Sequence, residues 1–235
     1  MGQPLVYSLI DKAVFDYHMI NSGDKILIGA SGGKDSTALI EYFANRKKRK
    51  NADFDFLALN IQTEFAPSFP QNVLNLFQQW NVPYKSISIN VSQRIKPGKK
   101  MSCFWCSTQR RTELINYALQ NGFNKIALGH HMDDILETLL MNMLNKEELA
   151  AMPPSLQYEN LPLTIIRPLC FCTEDKIISH GKKEGYLGFT CTCNFQENST
   201  RKDARNKLQQ LTDGDSNKKA HMFASLKNIN PVYLP

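Results

Sequence analysis

The run Lys25-Ile26-Leu27-Ile28-Gly29-Ala30-Ser31-Gly32-Gly33-Lys34-Asp35-Ser36 joins two halves of different character. Its first half is short, apolar and closed by glycine, which suits a parallel strand buried on both faces. The residues that follow, 35–45, space Ala38, Leu39, Tyr42 and Phe43 along one face of a helix. Between strand and helix, Gly32 and Gly33 let the backbone approach an anion closely. The helix N-terminus supplies unpaired N–H groups and a positive dipole, and Ser31 and Ser36 add hydroxyls. The expected ligand is a phosphate chain. A glycine turn that only caps a helix is the bland alternative, and the strand-loop-helix setting argues against it. Neither the Walker A spacing nor the Gly-x-Gly-x-x-Gly fingerprint is present, so this is a phosphate loop of another type.

Outward from this loop, strand and helix patterns alternate. Residues 54–60 read as a strand, 70–80 as a helix with Val73, Leu74, Phe77 and Trp80 in register, and 84–91 as a strand. A loop at 96–100 precedes a helix over 110–121, a buried strand over 125–129 and a helix over 133–144. A weaker strand at 163–167 and a helix at 174–184 follow, and a helix over 7–20 comes before the first strand. This alternation predicts an α/β fold: a doubly wound, mostly parallel sheet with helices on both faces. Ligands in such sheets bind beyond the carboxyl ends of the strands. The tail is polar, with helical stretches near 201–211 and 218–228. The expected division is a nucleotide-binding domain over 1–190, including the Cys-x-x-Cys insertion, and a mainly helical, cysteine-bearing extension over 191–235 packed on it.

A second loop has the same setting. Gly129-His130-His131-Met132-Asp133-Asp134 leaves a buried strand and opens a helix, so its side chains should reach the same sheet edge. Asp133 and Asp134 are candidates to hold Mg²⁺ on phosphate oxygens, or alternatively to cap the helix.

With 235 residues and 42% hydrophobic composition, the chain can enclose a full core. No run approaches the roughly 18 apolar residues that a bilayer requires. The first twenty residues mix Asp11, Lys12, Asp16 and His18 among apolar ones, unlike an export signal, so the expected compartment is the cytoplasm. A net charge of +6 admits nucleic acid as a partner without requiring it. The run Arg46-Lys47-Lys48-Arg49-Lys50 reads as a solvated helix terminus.

Six cysteines fall in three close pairs, which in a reducing compartment points to metal or sulfur chemistry. Cys103 and Cys106 precede a helix expected from Arg110 and Arg111, where a thiolate would be stabilised. Two such thiols can grip one metal but not complete its shell. Further ligands must come from Cys191 and Cys193, about 85 residues downstream and far beyond the roughly 12–20 residues of local zinc fingers. Three sulfurs would leave an iron-sulfur cluster with an open position. A closed zinc site, a redox pair and unrelated buried thiols remain alternatives. For Cys170 and Cys172, small buried residues are the preferred reading.

Ser31 to Ser36 resembles the signature of the N-type ATP-pyrophosphatases, which cleave ATP between its α and β phosphates. Together with Cys103-x-x-Cys106, Arg110-Arg111, the 125–134 segment, Met152-Pro153-Pro154, Ile166-Arg167-Pro168-Leu169 and Met222-Phe223-Ala224, it resembles the tRNA 2-thiocytidine synthetase family over nearly the whole chain. The resemblance implies an adenine nucleotide alpha-hydrolase-like fold. It also implies an ATP- and Mg²⁺-dependent enzyme that adenylates the C2 oxygen of an anticodon-loop cytidine and replaces it with sulfur through a [4Fe-4S] cluster. By that likeness Lys34, Asp35 and Asp134 are catalytic. Ser31, Gly32, Gly33, Lys34, Asp35, Ser36, Gly129, His130 and Asp133 bind ATP, and Arg110, Arg111 and Arg167 contact RNA. Cys103, Cys106 and Cys193 hold the cluster, with Cys191 as the alternative third ligand, because the pair here is Cys-x-Cys rather than Cys-x-x-Cys. Expected partners are tRNA and a sulfur donor such as a cysteine desulfurase, with a homodimer admitted as the assembly. The competing reading is a nucleotide-binding protein with structural zinc that binds RNA or responds to redox state without thiolating.

Overall fold

Asp24–Gly29 forms the expected strand, β1, and Ile26, Leu27 and Ile28 on it are fully buried. Burial of each contributes about 1.5–3 kcal/mol. The computed structural model describes residues 2–95, 98, 100–186 and 200–233. In it β1 lies within a six-stranded sheet with β2 (Phe54–Thr63), β3 (Tyr84–Ile89), β4 (Lys125–Ala127), β5 (Ser155–Gln157) and β6 (Thr164–Ile166). The order is β3-β2-β1-β4-β6-β5, all pairs being parallel except β5 with β6. From β1 the chain runs outward to β2 and β3, then returns to place β4 on the other side of β1. The strand order therefore reverses between β1 and β4, which is where such sheets bind ligands.

The described helices are α1 (Leu5–Asp16), α2 (Lys34–Lys47), α3 (Gln71–Gln79), α4 (Cys103–Gln120), α5 (Met132–Lys146), α6 (Glu174–Glu184), α7 (Thr200–Thr212) and α8 (Ser216–Ser225). Alternation along the strands divides the core. Ile26, Ile28, Ala58 and Ala127 pack with residues of α1, α2, α3, α5 and α6. Leu27, Leu59, Ile61 and Ile126 pack on the other face with Ala118 of α4, and Leu114 and Ile115 lie against them. Helices α7 and α8 pack against α5. No described helix is long and apolar enough to cross a membrane.

Buried polar groups tie the layers together. Glu41 of α2 accepts the hydroxyl of Tyr186 at 2.9 Å and meets His180 of α6 at 2.8 Å. The basic run ends α2 as expected, but Arg46 and Arg49 also pair with Asp11 of α1, at 2.9 and 3.1 Å.

Two elements differ from the sequence reading. Helix α4 starts at Cys103 rather than near Arg110, because Ser102 caps it and its Oγ accepts the N–H of Trp105 at 3.1 Å. The cysteines thus occupy the first turn instead of preceding the helix. Strand β5 was not foreseen, since three residues at a sheet edge carry too little alternation to register. Cys191 and Cys193 lie outside the described residues, as do Lys96, Pro97 and Lys99 of the expected 96–100 loop.

Candidate active site

The phosphate loop leaves β1 and folds on itself before α2 begins. Gly32 takes φ +81°, and a Cβ there would meet Pro70 Cδ at 2.8 Å, so glycine is required twice over. Ser31 and Ser36 hydroxyls meet at 2.9 Å, and Ser36 also donates to the Gly33 carbonyl at 3.1 Å. Gly33 is the N-cap and has no side chain to satisfy the first N–H groups of α2. Those groups face outward with the helix dipole behind them, which is an anion site.

The second loop touches the first. A Cβ on Gly129 would lie 3.1 Å from Ser36 N and 3.2 Å from the Asp35 carbonyl carbon, so glycine lets the two backbones meet. His131, buried at 2% exposure, sits between the acids of both loops. Its Nε2 is 3.8 Å from Asp35 Oδ1 and 3.4 Å from Asp134 Oδ2. Asp134 Oδ2 also accepts the His131 N–H at 3.1 Å, and its Oδ1 accepts from Arg201 of α7 at 3.1 Å.

Between the loops lies a cavity of about 310 Å³. Ser31, Asp35, Ser36, Gly129, His130 and Asp134 line its polar side, and Leu59, Ile61, Leu114 and Leu128 its apolar side. A mixed lining of this kind suits a nucleotide, with the ring on the aliphatics and the phosphates at the loop. The remaining wall is α4, through Ser107, Arg110, Arg111 and Leu114. Cys103 stands one turn before Ser107 on the same helical stripe, and Cys106 one turn before Arg110. Both cysteines are half-buried.

The electrostatics follow from burial. It raises the Asp35 carboxyl above its ordinary range, although His131 and Lys34 pull the other way. Burial also presses His130 down to about 4, with the Asp134 charge opposing and Arg167, Arg201 and Arg111 assisting, so its imidazole is neutral at pH 7. At Asp134 burial works against ionisation, but the two histidines, the His131 N–H and Arg201 hold the carboxyl below its usual value. Lys34 is pinned by Glu174 at 2.9 Å and Asp35 at 3.2 Å.

Two expected site residues have other tasks. Asp133 points away from the cavity: it accepts the Glu174 N–H at 2.8 Å, capping α6, and pairs with Lys219 of α8 at 2.6 Å. One residue along a helix turns a side chain by about 100°, so only one of two adjacent acids can face the loop. Arg167 is 7% exposed and donates to the Pro153 carbonyl at 2.5 Å, so it is a buried strut rather than a surface for RNA. Cys170 and Cys172 are fully buried, which raises both thiols, Cys170 to about 12. That agrees with their reading as core residues.

No role follows from the sequence for His131, Glu174, Glu137, Arg201 or Arg205. His131 had a signal in its place beside the acids, and Arg201 in the segment Cys193-x-x-Gln196-x-Asn198-x-x-Arg201, which resembles the family's. Arg205 had none, because its partner lies on a helix far away in the chain.

Both implied groups pass a test of fit. Asp35 Oδ1 is buried and accepts no hydrogen bond, as suits an oxygen kept for a cation, and Asp134 faces the same imidazole. Two thiols three residues apart in a first helical turn suit a thiolate-bound cluster. Among the described residues no group of three or more His, Cys, Asp and Glu converges as a complete metal site.

The PP-loop domain family matches residues 8–212. The tRNA-cytidine(32) 2-sulfurtransferase of Nitrosospira multiformis is 36% identical over 96% of this chain and 77% of that protein. The enzyme of the same name from Acaryochloris marina is 35% identical over 97% of this chain and 82% of its own. Among solved structures, the U34-tRNA thiolase NcsA from Methanococcus maripaludis, with its [4Fe-4S] cluster, matches with a TM-score of 0.75. It is 17% identical and covers 96% of this chain and 78% of that one. The NH3-dependent NAD synthetase of Campylobacter jejuni matches with a TM-score of 0.52 at 15% identity over 95% of this chain and 90% of that one. These structural likenesses concern the fold.

Proposed function

The chain belongs to the PP-loop family and, within it, to the tRNA 2-thiocytidine synthetases, and from that premise we propose that it adenylates the C2 oxygen of an anticodon-loop cytidine and exchanges that oxygen for sulfur. One observation carries the reading. The cavity between the two strand-end loops has as its third wall the helix whose first turn holds Cys103 and Cys106. A nucleotide site and the helix turn that carries a pair of thiols thereby adjoin.

The pyrimidine O2 attacks the α-phosphorus of ATP, the bond from that phosphorus to the bridging oxygen breaks, and pyrophosphate leaves. Cytosine has no N3 proton to lose in this step, so no general base is required. A neutral His130 fits that demand. The N–H groups at the start of α2 and the hydroxyls of Ser31 and Ser36 receive the phosphate charge. Asp35 and Asp134 are the residues that would hold Mg²⁺, which neutralises charge on the transferred phosphoryl. Arg110 and Arg111 line the cavity, and their charges would meet the phosphates of the RNA. Sulfur then bonds to C2, the C2–O bond breaks, and AMP departs. Cys103, Cys106 and a downstream cysteine, Cys193 or Cys191, would hold a [4Fe-4S] cluster, which would supply sulfur at the sulfide level. A sulfur donor such as a cysteine desulfurase, whose persulfide a thiol reductant brings to sulfide, is the proposed partner and the cytoplasm the proposed compartment.

Nucleoside mass spectrometry of tRNA from cells with and without this protein tests the reading. Loss of 2-thiocytidine in the deletion strain is expected, and an unchanged nucleoside profile excludes it. Anaerobically purified protein should be brown and carry about four irons per chain. Colourless protein with one zinc favours the competing structural role. Cys103→Ser should lose iron while still binding ATP, and retained iron removes Cys103 from the ligand set.

A further inference from the structure

A second, narrower cavity of about 90 Å³ lies across the phosphate loop from the first and shares Ser31, Ile61 and Arg110 with it. An adenylating enzyme needs two adjoining places, one for the nucleotide and one for the atom that attacks it. Ser31 and Gly33 of the phosphate loop form its edge toward the nucleotide, Arg110 is its one cation among the described residues, and its far wall includes Phe69, Ala66 and Pro67. A flat, uncharged heteroaromatic ring suits that far wall, because Phe69 is held by Tyr84 at 5.1 Å and Phe77 at 5.9 Å between centroids and so offers a fixed face.

Two amides line this cavity, and only one can read a ligand. Asn60 is committed at both ends, donating to the Ala30 carbonyl at 2.8 Å and accepting from Ser86 at 3.0 Å. Gln62 donates through Nε2 to the carbonyls of Ala66 at 2.9 Å and Pro67 at 3.1 Å. Carbonyls only accept, so these two contacts fix the amide with its nitrogen toward the 63–67 turn and leave Oε1 as its end for a ligand.

We propose that this cavity receives the target pyrimidine and that Gln62 Oε1 accepts a hydrogen bond from the 4-amino group of cytosine. The proposal rests on the thiolation reading above and adds the atom that selects the base. Uracil carries an oxygen at position 4, so the same contact would set two acceptors face to face with no proton between them. Cytosine is thereby held and uracil turned away.

The test is a double-mutant cycle between base and protein. Binding and turnover are measured with anticodon-arm RNAs carrying cytidine, uridine or pyrimidin-2-one ribonucleoside at the modified position, for the wild type and for Gln62→Leu. Pyrimidin-2-one keeps O2 and lacks only the amino group. The wild type should prefer cytidine over pyrimidin-2-one by about tenfold, and uridine should fare worse. The wild-type cytidine to pyrimidin-2-one ratio divided by that of Gln62→Leu should be about ten, since the intrinsic difference between the bases cancels in this quotient. A variant that keeps the tenfold ratio overturns the proposal, and so does a wild type that binds both RNAs alike. Gln62 also holds the 63–67 turn, so the variant's fold is checked by its melting temperature. If it does not fold, the wild-type binding comparison decides. A wild type that thiolates no RNA sinks the thiolation reading instead, and the binding comparison still reports on the subsite.

Discussion

Asp35 keeps its Oδ1 buried with no hydrogen-bond donor, and burial raises its pKa despite His131 at 3.8 Å and Lys34 at 3.2 Å. An acid whose folded pKa is raised stabilises the fold when protonated and loses that contribution as pH rises through the folded value. Without Mg²⁺, ionisation of Asp35 is therefore a burden on stability. Asp35→Asn removes the charge and keeps the shape. The variant should unfold at a higher temperature than the wild type, by roughly 0.5–1 kcal/mol in Mg²⁺-free buffer, while AMP formation falls at least about a hundredfold. Calorimetry and a pyrophosphate-release assay read the two effects, and a variant that is less stable yet active would contradict the placement. The opposite outcome is expected at the start of α5, where Asp133→Asn breaks the pair with Lys219 and should destabilise by about 1–3 kcal/mol, measured by denaturant unfolding. The sequence marked Asp133 and Asp134 as functional because both follow a glycine at a strand end. Which of them faces the phosphates depends on helix phase and on Lys219, some eighty residues away, and no local pattern encodes that.

Helix α7 is held to α5 by a ladder of charges. Arg205 meets Glu137 at 2.7 Å, and Arg201 meets Asp134 at 3.1 Å. Glu137 is 1% exposed, and burial raises its pKa against the pull of Arg205. Removing Arg205 would leave a buried carboxylate offset only by Arg201 at 4.0 Å, whereas removing both Arg205 and Glu137 would leave no such charge. Arg205 is itself half-exposed, so solvent screens part of the effect. Arg205→Ala should cost about 1–2 kcal/mol and speed amide exchange through 200–212, and adding Glu137→Leu should recover much of it. Chemical denaturation of the single and double variants checks this, and strict additivity would argue against the ladder. The helices themselves were visible in the hydrophobic spacing, including α7 within a residue or two. Their contacts were not, because pairs 67 or 68 residues apart leave no periodic trace. The start of α4 was missed for a different reason: the apolar spacing begins at Leu114, whereas the helix begins at a polar cap, Ser102, which the pattern does not weigh.

Across the molecule, the parallel sheet brings loops about a hundred residues apart to one edge, and this much was legible because both loops follow buried apolar strands and open amphipathic helices. The neighbouring helices then enclose the edge, and enclosure sets the titration of the whole fold. Glu64, bonded by the N–H groups of Val91 at 2.9 Å and Ser92 at 2.7 Å, is held at about 2 although burial opposes it. Glu174 and Asp11 are lowered too, burial again opposing, by Lys34 and by Tyr42 and Arg49 respectively. Carboxyls lowered on folding stabilise above their unfolded pKa, about 4, and lose that contribution as pH falls through the folded values. His130 acts at higher pH. Burial depresses it to about 4 from an unfolded value near 6.5, so between these limits the unfolded chain binds a proton that the folded protein refuses. The His130 contribution therefore declines as pH falls from about 6.5 toward 4, against a gain as the raised carboxyls of Asp35 and Glu137 take up protons, and the contribution of the lowered carboxylates is lost below that. The first stage should amount to about 1–2 kcal/mol, less than the full shift implies because the ring borders the open cavity. Melting temperatures measured from pH 8 to pH 3 without Mg²⁺ should show both stages. His130→Asn should remove the upper one and leave the lower, and a wild-type profile that runs parallel to the variant's between pH 6.5 and 4.5 would show that this imidazole is not enclosed by the loop at the end of β4.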